Sequence, residues 1–273
     1  MLPNDLALGG QLTEQAGWNQ VSADWNRFLA LQPSGCFIAE LDGQSVGTVT
    51  TCVFGRVGWI GMLLVNKTCR RRGVGRALLN QALAYLEKQE VETVRLDATP
   101  QGEPLYNRLG FSVQYHLTRF AGTVESGFVA PAPCLLHIEH GERVVALDQT
   151  VIGYGRGPLL LRLVQEPNSR AFIQQRKEAI RGYACTRPGR LAAQVGPCVA
   201  TSSSAGRILL AHSLNLYRGQ PVFVDIPTEH QCAVETVTAF GLKPARVFTR
   251  MCRGAEAVEQ LDHLWASSGP EKG

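Results

Sequence analysis

At 273 residues the chain is long for one domain and comfortable for two of about 130 each. A composition of 45% apolar and 18% charged residues supports a globular core and excludes wholesale disorder. The net charge of +4 is too small to point to nucleic acid, but it is concentrated. Lys67, Arg70, Arg71, Arg72 and Arg76 fall within ten residues that contain no acid, and subtracting these five charges from +4 leaves the rest of the chain at −1. One local anion site is expected, not a basic surface.

The start, Met1-Leu2-Pro3-Asn4-Asp5, lacks the basic and apolar regions of a secretory signal. The most apolar stretch, Trp59–Val65, is far too short to cross a bilayer, so no membrane partner is expected. The 8 cysteines are scattered without a CxxC, several in apolar runs such as Gly35-Cys36-Phe37-Ile38. They read as small core residues of a reduced, cytoplasmic protein.

In chain order, Thr13–Ala16 predicts a short helix stopped by Gly17, and Ser22 can cap a second helix through Leu31. Cys36–Leu41, the Asp42-Gly43 turn and Ser45–Phe54 predict a hairpin, because Asp-Gly tolerates the positive φ angles of a tight turn. Gly55–Gly58 turns the chain into a third strand, Trp59–Val65. A glycine-rich loop leads to a helix from about Gly75 to Glu87, with Leu78, Ala82 and Tyr85 along one stripe. Strand Val91–Asp97, short helix Pro104–Leu109 and extended Phe111–Phe120 complete the first half.

The second half repeats the first in worn form. Gly110 precedes Arg119 by the same nine residues that separate Gly241 from Arg250. Val94-Arg95-Leu96-Asp97 matches Val222-Phe223-Val224-Asp225, Arg76-Ala77-Leu78-Leu79 matches Arg207-Ile208-Leu209-Leu210, and Val46-Gly47-Thr48 matches Arg181-Gly182-Tyr183. The shared order and offset favour duplication.

The chemistry concentrates in the run from Leu63 to Leu78. A strand enters a loop, and Gly73 and Gly75 open a helix. Free amides at a helix N-terminus, glycines that admit a ligand to the backbone and flanking arginines together suit a pyrophosphate. A dinucleotide fingerprint would need glycine where Leu78 stands, and a P-loop would need Gly-Lys-Ser/Thr, which is absent. His137-x-x-His140 lacks further ligands at fitting spacing, so no metal is expected.

What remains, Arg70-x-x-Gly73-x-Gly75 between a strand and an amphipathic helix, resembles the acyl-CoA loop of the GNAT superfamily of N-acetyltransferases. Tyr106-Asn107-Arg108-Leu109-Gly110-Phe111 resembles that family's Tyr-x-x-x-Gly-Phe segment. The second half, with Arg187-Pro188-Gly189, Gly196-Pro197 and Arg250-Met251-Cys252-Arg253-Gly254, resembles the C-terminal domain of a bacterial tandem subgroup. The resemblance implies an α/β (α+β) fold: a mixed, mostly antiparallel central sheet flanked by helices, in two tandem GNAT-like domains. The expected limits are 1–125 for the acetyltransferase domain, 126–134 for a linker, 135–265 for a degenerate copy and 266–273 for a disordered tail.

Residue by residue, the resemblance implies that Leu63 and Val65 pair with the pantetheine arm of acetyl-CoA as with an added strand. Backbone from Arg70, Arg71, Arg72, Gly73, Val74, Gly75 and Arg76 would hold the pyrophosphate, and an amide near Leu64 would stabilise the oxyanion. Tyr106 would protonate the leaving thiolate. Trp18 and Asn19 lie where this fold often forms the acceptor pocket, and Thr99 replaces the Asn or Ser found in many members. Asp97, Glu103 and Glu40 are candidates for a general base, although the echo of Asp97 at Asp225 favours a structural role. The second copy has Thr201–Gly206 in place of the arginines, and is expected to shape or close the acceptor pocket, or to support the first domain, without binding CoA.

The expected activity is direct acetyl transfer to a primary amine of a small metabolite, by a monomer or homodimer. Alternatives are an acetyl-CoA sensor without turnover, or an acetyltransferase acting on protein lysines or N-termini.

Overall fold

Two helices open the chain, α1 (Leu6–Ala16) and α2 (Ser22–Leu31). The computed structural model describes residues 1–125 and 127–273; Ser126, the first residue of the expected linker, lies outside the described residues. Helix α1 begins well before the expected Thr13. Gly9 and Gly10 disfavour a helix on propensity alone, but a Cβ on Gly9 would lie 2.8 Å from the indole of Trp25, so the glycine lets α1 and α2 pack closely.

Strands β1 (Cys36–Leu41), β2 (Gln44–Phe54) and β3 (Val57–Val65) follow as an antiparallel meander. The first turn has φ of 52° at Asp42 and 73° at Gly43, as its sequence requires. Then come α3 (Val74–Lys88), β4 (Thr93–Ala98), α4 (Glu103–Asn107) and β5 (Ser112–Thr123). The second half runs β6 (Cys134–Leu135), α5 (Gly141–Ile152), α6 (Gly157–Gln165), β7 (Arg170–Arg176), β8 (Ala179–Arg187) and β9 (Ala193–Ala200). It continues through α7 (Ser203–Asn215), β10 (Pro221–Pro227), α8 (Gln231–Ala239), β11 (Lys243–Gly254) and β12 (Leu264–Ala266).

All strands join one mixed sheet in the order β1-β2-β3-β4-β11-β5-β10-β9-β8-β7-β6, with β12 beside β9. The halves exchange their last long strands. β11 lies between β4 and β5, and β5 lies between β11 and β10. A pseudo-twofold axis passes at Leu117↔Phe248, because Thr118↔Val247 and His116↔Thr249 flank it symmetrically.

The duplicated motifs explain the exchange. Arg250 on β11 grips Asp97 on β4 through two bonds of 2.6 and 2.8 Å. Arg119 on β5 grips Asp225 on β10 through bonds of 2.7 and 2.8 Å. Each copy's arginine thus holds the other copy's aspartate. Arg250 also lies 4.8 Å from the Trp59 ring, and Arg119 lies 4.7 Å from the Phe223 ring. A buried, bidentate pair of this kind specifies register, because breaking it strands a charge away from water.

Side-chain alternation along the strands separates the cores. On one face α1, α2, α5 and α6 share a core with Trp59, Met62, Tyr183 and Cys185. On the other, α3 packs on Ile60, Val94 and Leu96, while α7 and α8 pack on Ala184, Val222 and Val224. The helices therefore flank the mostly antiparallel sheet on both sides.

The segment 266–273 departs from its expected disorder. Ser267, Ser268 and Lys272 are fully buried, and Glu271 is 2% exposed. Its composition offers little apolar surface, but buried charges elsewhere in the fold provide its partners, as described below.

Candidate active site

Strands β3 and β4 run parallel only over Val57–Trp59 and Thr93–Arg95. β4 pairs with β11 along its other edge from Thr93 to Ala98, and beyond Trp59 the β4-facing edge of β3, from Ile60 to Val65, has no strand partner among the described residues. An irregularity in the β2–β3 register, with φ of +50° at Met62, helps β3 turn away. The predicted residues Leu63, Leu64 and Val65 lie on this open stretch, the kind of edge to which an extended ligand can add as a strand.

The edge runs directly to the start of α3. A Cβ on Gly75 would lie 3.7 Å from the side chain of Val65, so strand end and helix start are neighbours. Gly73 is the N-cap, with φ of 82° and no side chain to cap the helix. Among bonds back along the helix, Ala77 donates to the Gly73 carbonyl at 3.0 Å, which leaves the amides of Val74, Gly75 and Arg76 ahead of the first turn's closure. Arg70, Arg71, Arg72 and Arg76 are all exposed around this point. Arg70 Nε donates to the Val65 carbonyl at 3.1 Å, tying the loop to the strand end. Arg72 meets Asp42 at 3.5 Å, but both side chains are largely solvated, so the pair holds the loop only weakly. Free amides, a helix dipole and four guanidinium groups converge here, a combination whose chemistry suits an anion.

Tyr106 sits on α4, packed edge-on against Phe111 and within the core cluster that includes Val74 and Leu96. Burial pushes its phenol up to about 12, so it stays protonated across the physiological range and can donate. Helix α4 is set by both halves. The Thr99 carbonyl accepts from the Gly102 and Glu103 amides, and Thr249 of β11 donates to Glu103 at 3.0 Å.

The remaining predicted residues fall in three different settings. Asp97 has both carboxylate oxygens engaged by Arg250, so its role is structural. Glu40 is exposed on β1, at the rim of the sheet. Asn19 holds residues 191–192 of the second half: Oδ1 accepts from the Leu191 and Ala192 amides at 2.9 and 3.1 Å, and Nδ2 donates to the Ala192 carbonyl at 3.0 Å. The Trp18 carbonyl accepts from Arg190 Nε at 3.0 Å. The link between α1 and α2 is therefore roofed by the β8–β9 loop.

The second half has the same architecture with its cleft filled. β9 and β10 pair over Ala193–Val195 and Val222–Val224 and then part, and β12 lies along β9 opposite Val199 and Cys198. By the matching pairs Gly47↔Val65 and Gly182↔Ala200, Val199 and Cys198 correspond to Leu64 and Leu63. Only residues 201–202 separate β9 from α7, against 66–73 between β3 and α3. Ser202 caps α7 by accepting from the Ala205 amide at 3.3 Å. The indole of Trp265 lies 1.9 Å from where a Cβ on Gly206 would be, covering the helix start. Trp265 escapes sequence reasoning because nothing local distinguishes it from a core tryptophan. The lack of large apolar residues after Ala266 also hides the buried segment beyond it.

Similarity to known proteins extends over both halves of the chain. A family model described as "Acetyltransferase (GNAT) family" matches residues 10–111, and one described as "Acetyltransferase (GNAT) domain" matches residues 144–266. The uncharacterized N-acetyltransferase YitH of Bacillus subtilis is 23% identical over 263 residues, covering 94% of this chain and 91% of its own. Holothin acyltransferase of a Pseudoalteromonas species is 22% identical, covering 94% of this chain and 87% of its own. A crystal structure from Pyrococcus horikoshii, named as a candidate acetyltransferase, superposes with a TM-score of 0.84 at 22% identity, over 100% of this chain and 94% of that one. With an open cleft in one half and the same frame repeated in the other, the chain belongs to the GNAT acetyltransferases, which are acyl-CoA-dependent acyltransferases, and carries two GNAT domains in tandem.

Proposed function

We propose that the protein transfers an acetyl group from acetyl-CoA to a primary amine of a small molecule, by direct attack within a ternary complex. One observation carries this reading: the free edge of β3 leads into the uncapped, arginine-flanked start of α3. Leu63 and Val65 pair with the pantetheine arm, and the loop from Arg70 to Arg76 holds the pyrophosphate. The amine nitrogen attacks the thioester carbon, and an amide near Leu64 stabilises the oxyanion. The carbon–sulfur bond then breaks, and Tyr106 protonates the departing thiolate. Glu103, one turn before Tyr106, bonds Thr249 through Oε2 and keeps Oε1 for the amine proton. The roof of residues 188–192 over the link between α1 and α2 favours a small acceptor over a protein chain.

Titration calorimetry is expected to show one acetyl-CoA per chain; no binding would end this reading. Tyr106→Phe is expected to lower kcat by about 10² with acetyl-CoA affinity unchanged, the scale of a lost general acid. An unchanged kcat would remove Tyr106 from that role.

A further inference from the structure

After β12 the chain leaves the cleft of the second half and crosses to the first. The Ser267 amide donates to the Asp225 carbonyl at 2.7 Å. Residues 269–273 then form a tight turn, with the Lys272 and Gly273 amides donating to the Gly269 carbonyl at 3.1 and 3.0 Å. The turn lies against β3 just upstream of the proposed thioester position. The Glu271 carbonyl is 2.4 Å from where a Cβ on Gly61 would be, and a Cβ on Gly273 would meet the Trp59 indole at 2.8 Å.

The segment also brings charge into a buried polar chamber. Glu271 accepts from Gln20 Nε2 at 2.8 Å and from Arg187 Nη2 at 3.1 Å. Lys272 Nζ lies 3.7 Å from Asp24 and also contacts Glu271. Arg156 donates to the Gly273 carbonyl. Without the segment, the chamber wall holds Asp24 and Glu166 against Arg27 and Arg187, a balanced set. The segment adds the Glu271 carboxyl and the Lys272 amine, and burial together with Arg187 and Arg27 pushes the amine's pKa well below the ordinary lysine value.

The fit is incomplete. Gln20 Oε1, Trp59 Nε1 and Ser268 Oγ are buried without a hydrogen-bond partner among the described residues. Unpaired polar atoms weaken the docked state relative to one in which water or a ligand satisfies them. The Gln20 amide, already holding the Glu271 carboxylate through Nε2, keeps an acceptor for a ligand's N–H.

We propose that Ser267–Gly273 is a displaceable strap lying in the acceptor site, and that the amine displacing it carries a carboxylate, seated on Arg187 and Gln20 where Glu271 now sits. The acceptor class is then an amino acid or short peptide. This rests on the acetyl-transfer reading, although the strap can be tested without turnover.

The test uses the full chain and matched amines: L-lysine against cadaverine, L-tryptophan against tryptamine, L-histidine against histamine, and glycyl-L-leucine against its C-terminal amide. Hydrogen exchange is expected to show the amides of residues 268–273 losing protection with at least one carboxylate-bearing member and not with its counterpart. That member is expected to be acetylated with kcat/KM at least tenfold higher. The double variant Glu271→Ala with Lys272→Ala, which preserves net charge, is expected to lower acceptor KM about tenfold with acetyl-CoA affinity unchanged; Glu271→Gln repeats the test with the packing kept. Protection retained with every amine overturns the strap, and opening by the members without a carboxylate alone overturns the carboxylate assignment. Failure of acetyl-CoA to bind in calorimetry would instead sink the acetyl-transfer reading, leaving the exchange result to judge the strap.

Discussion

Both halves of the molecule contain two parallel strands that part, and they treat the resulting cleft in opposite ways. Between β3 and β4 the edge stays open, the adjoining helix starts at an uncapped Gly73, and arginines surround it. Between β9 and β10 the chain fills the edge with its own β12, caps the helix with Ser202 and covers it with Trp265. An unpaired strand edge and free helix amides are costly when buried, so they persist where a ligand is to supply the missing partners. A copy that has lost its ligand chemistry satisfies the same groups internally. On the acetyl-CoA reading, the filled cleft is an intramolecular outline of what the open one would accept.

Several substitutions probe this contrast. The largest effect is expected where the halves are locked together. Arg250→Ala and Arg119→Ala each leave a buried aspartate unpaired, and each is expected to lose about 3–5 kcal/mol in urea unfolding. Near-equal losses would match the pseudo-twofold; a loss below about 1 kcal/mol in either would show that the crossed pairs do not hold the exchanged strands.

Next comes the plug of the second cleft. Trp265→Ala is expected to cost about 3 kcal/mol through the cavity it leaves, while acetyl-CoA stoichiometry stays at one per chain. A second equivalent bound in calorimetry would mean that the plug alone separates the two clefts.

The two helix starts give a smaller contrast. Gly73→Val places a β-branched residue at φ of 82°, a strain of about 1–2 kcal/mol, and is expected to weaken acetyl-CoA binding about tenfold. Ser202→Ala is expected to cost about 1 kcal/mol of stability, the worth of one cap, with acetyl-CoA binding unchanged. Equal effects of both on acetyl-CoA affinity would erase the distinction between the helix starts.

The smallest effect is a pH dependence confined to the filled side. His230 Nδ1 accepts from the Ala233 amide at 3.2 Å and Nε2 lies 3.0 Å from the Asp262 carbonyl, an arrangement that fits the neutral ring. Burial lowers its pKa below the ordinary 6.5, with its hydrogen bonds opposing the shift. The unfolded chain therefore takes up this proton first as pH falls, and the histidine's contribution, complete above about 6.5, declines below it. Thermal midpoints are expected to fall between pH 7.5 and 5.5, and to fall less in His230→Asn, which keeps a cap acceptor. Identical profiles would assign the decline to other groups.

Much of this contrast was readable from residue order. The Asp42-Gly43 turn, the Arg70-x-x-Gly73-x-Gly75 loop, the segment from Tyr106 to Phe111 and the repeated Gly-to-Arg offset are local patterns. Their meaning depends on backbone geometry within a few residues, so a sequence can express them. The pairing of Asp97 with Arg250 instead of Arg119 was not readable, because equivalent residues in two copies match within and between copies alike. Nor was the role of Asn19, whose hydrogen bonds run to residues more than 170 positions away.

By itself, then, the sequence determined the family resemblance, the duplication and which half carries the basic loop, since each rests on short-range spacing and charge. Tertiary structure alone decided that the last strands are exchanged, that β12 closes the second cleft and that Ser267–Gly273 is buried beside Gly61. Ser-Ser-Gly-Pro-Glu-Lys-Gly has, apart from the small ring of Pro270, no apolar side chain with which to bury itself. It is held inside because Gln20, Asp24, Arg156 and Arg187, drawn from distant parts of the chain, converge on it with complementary polar groups.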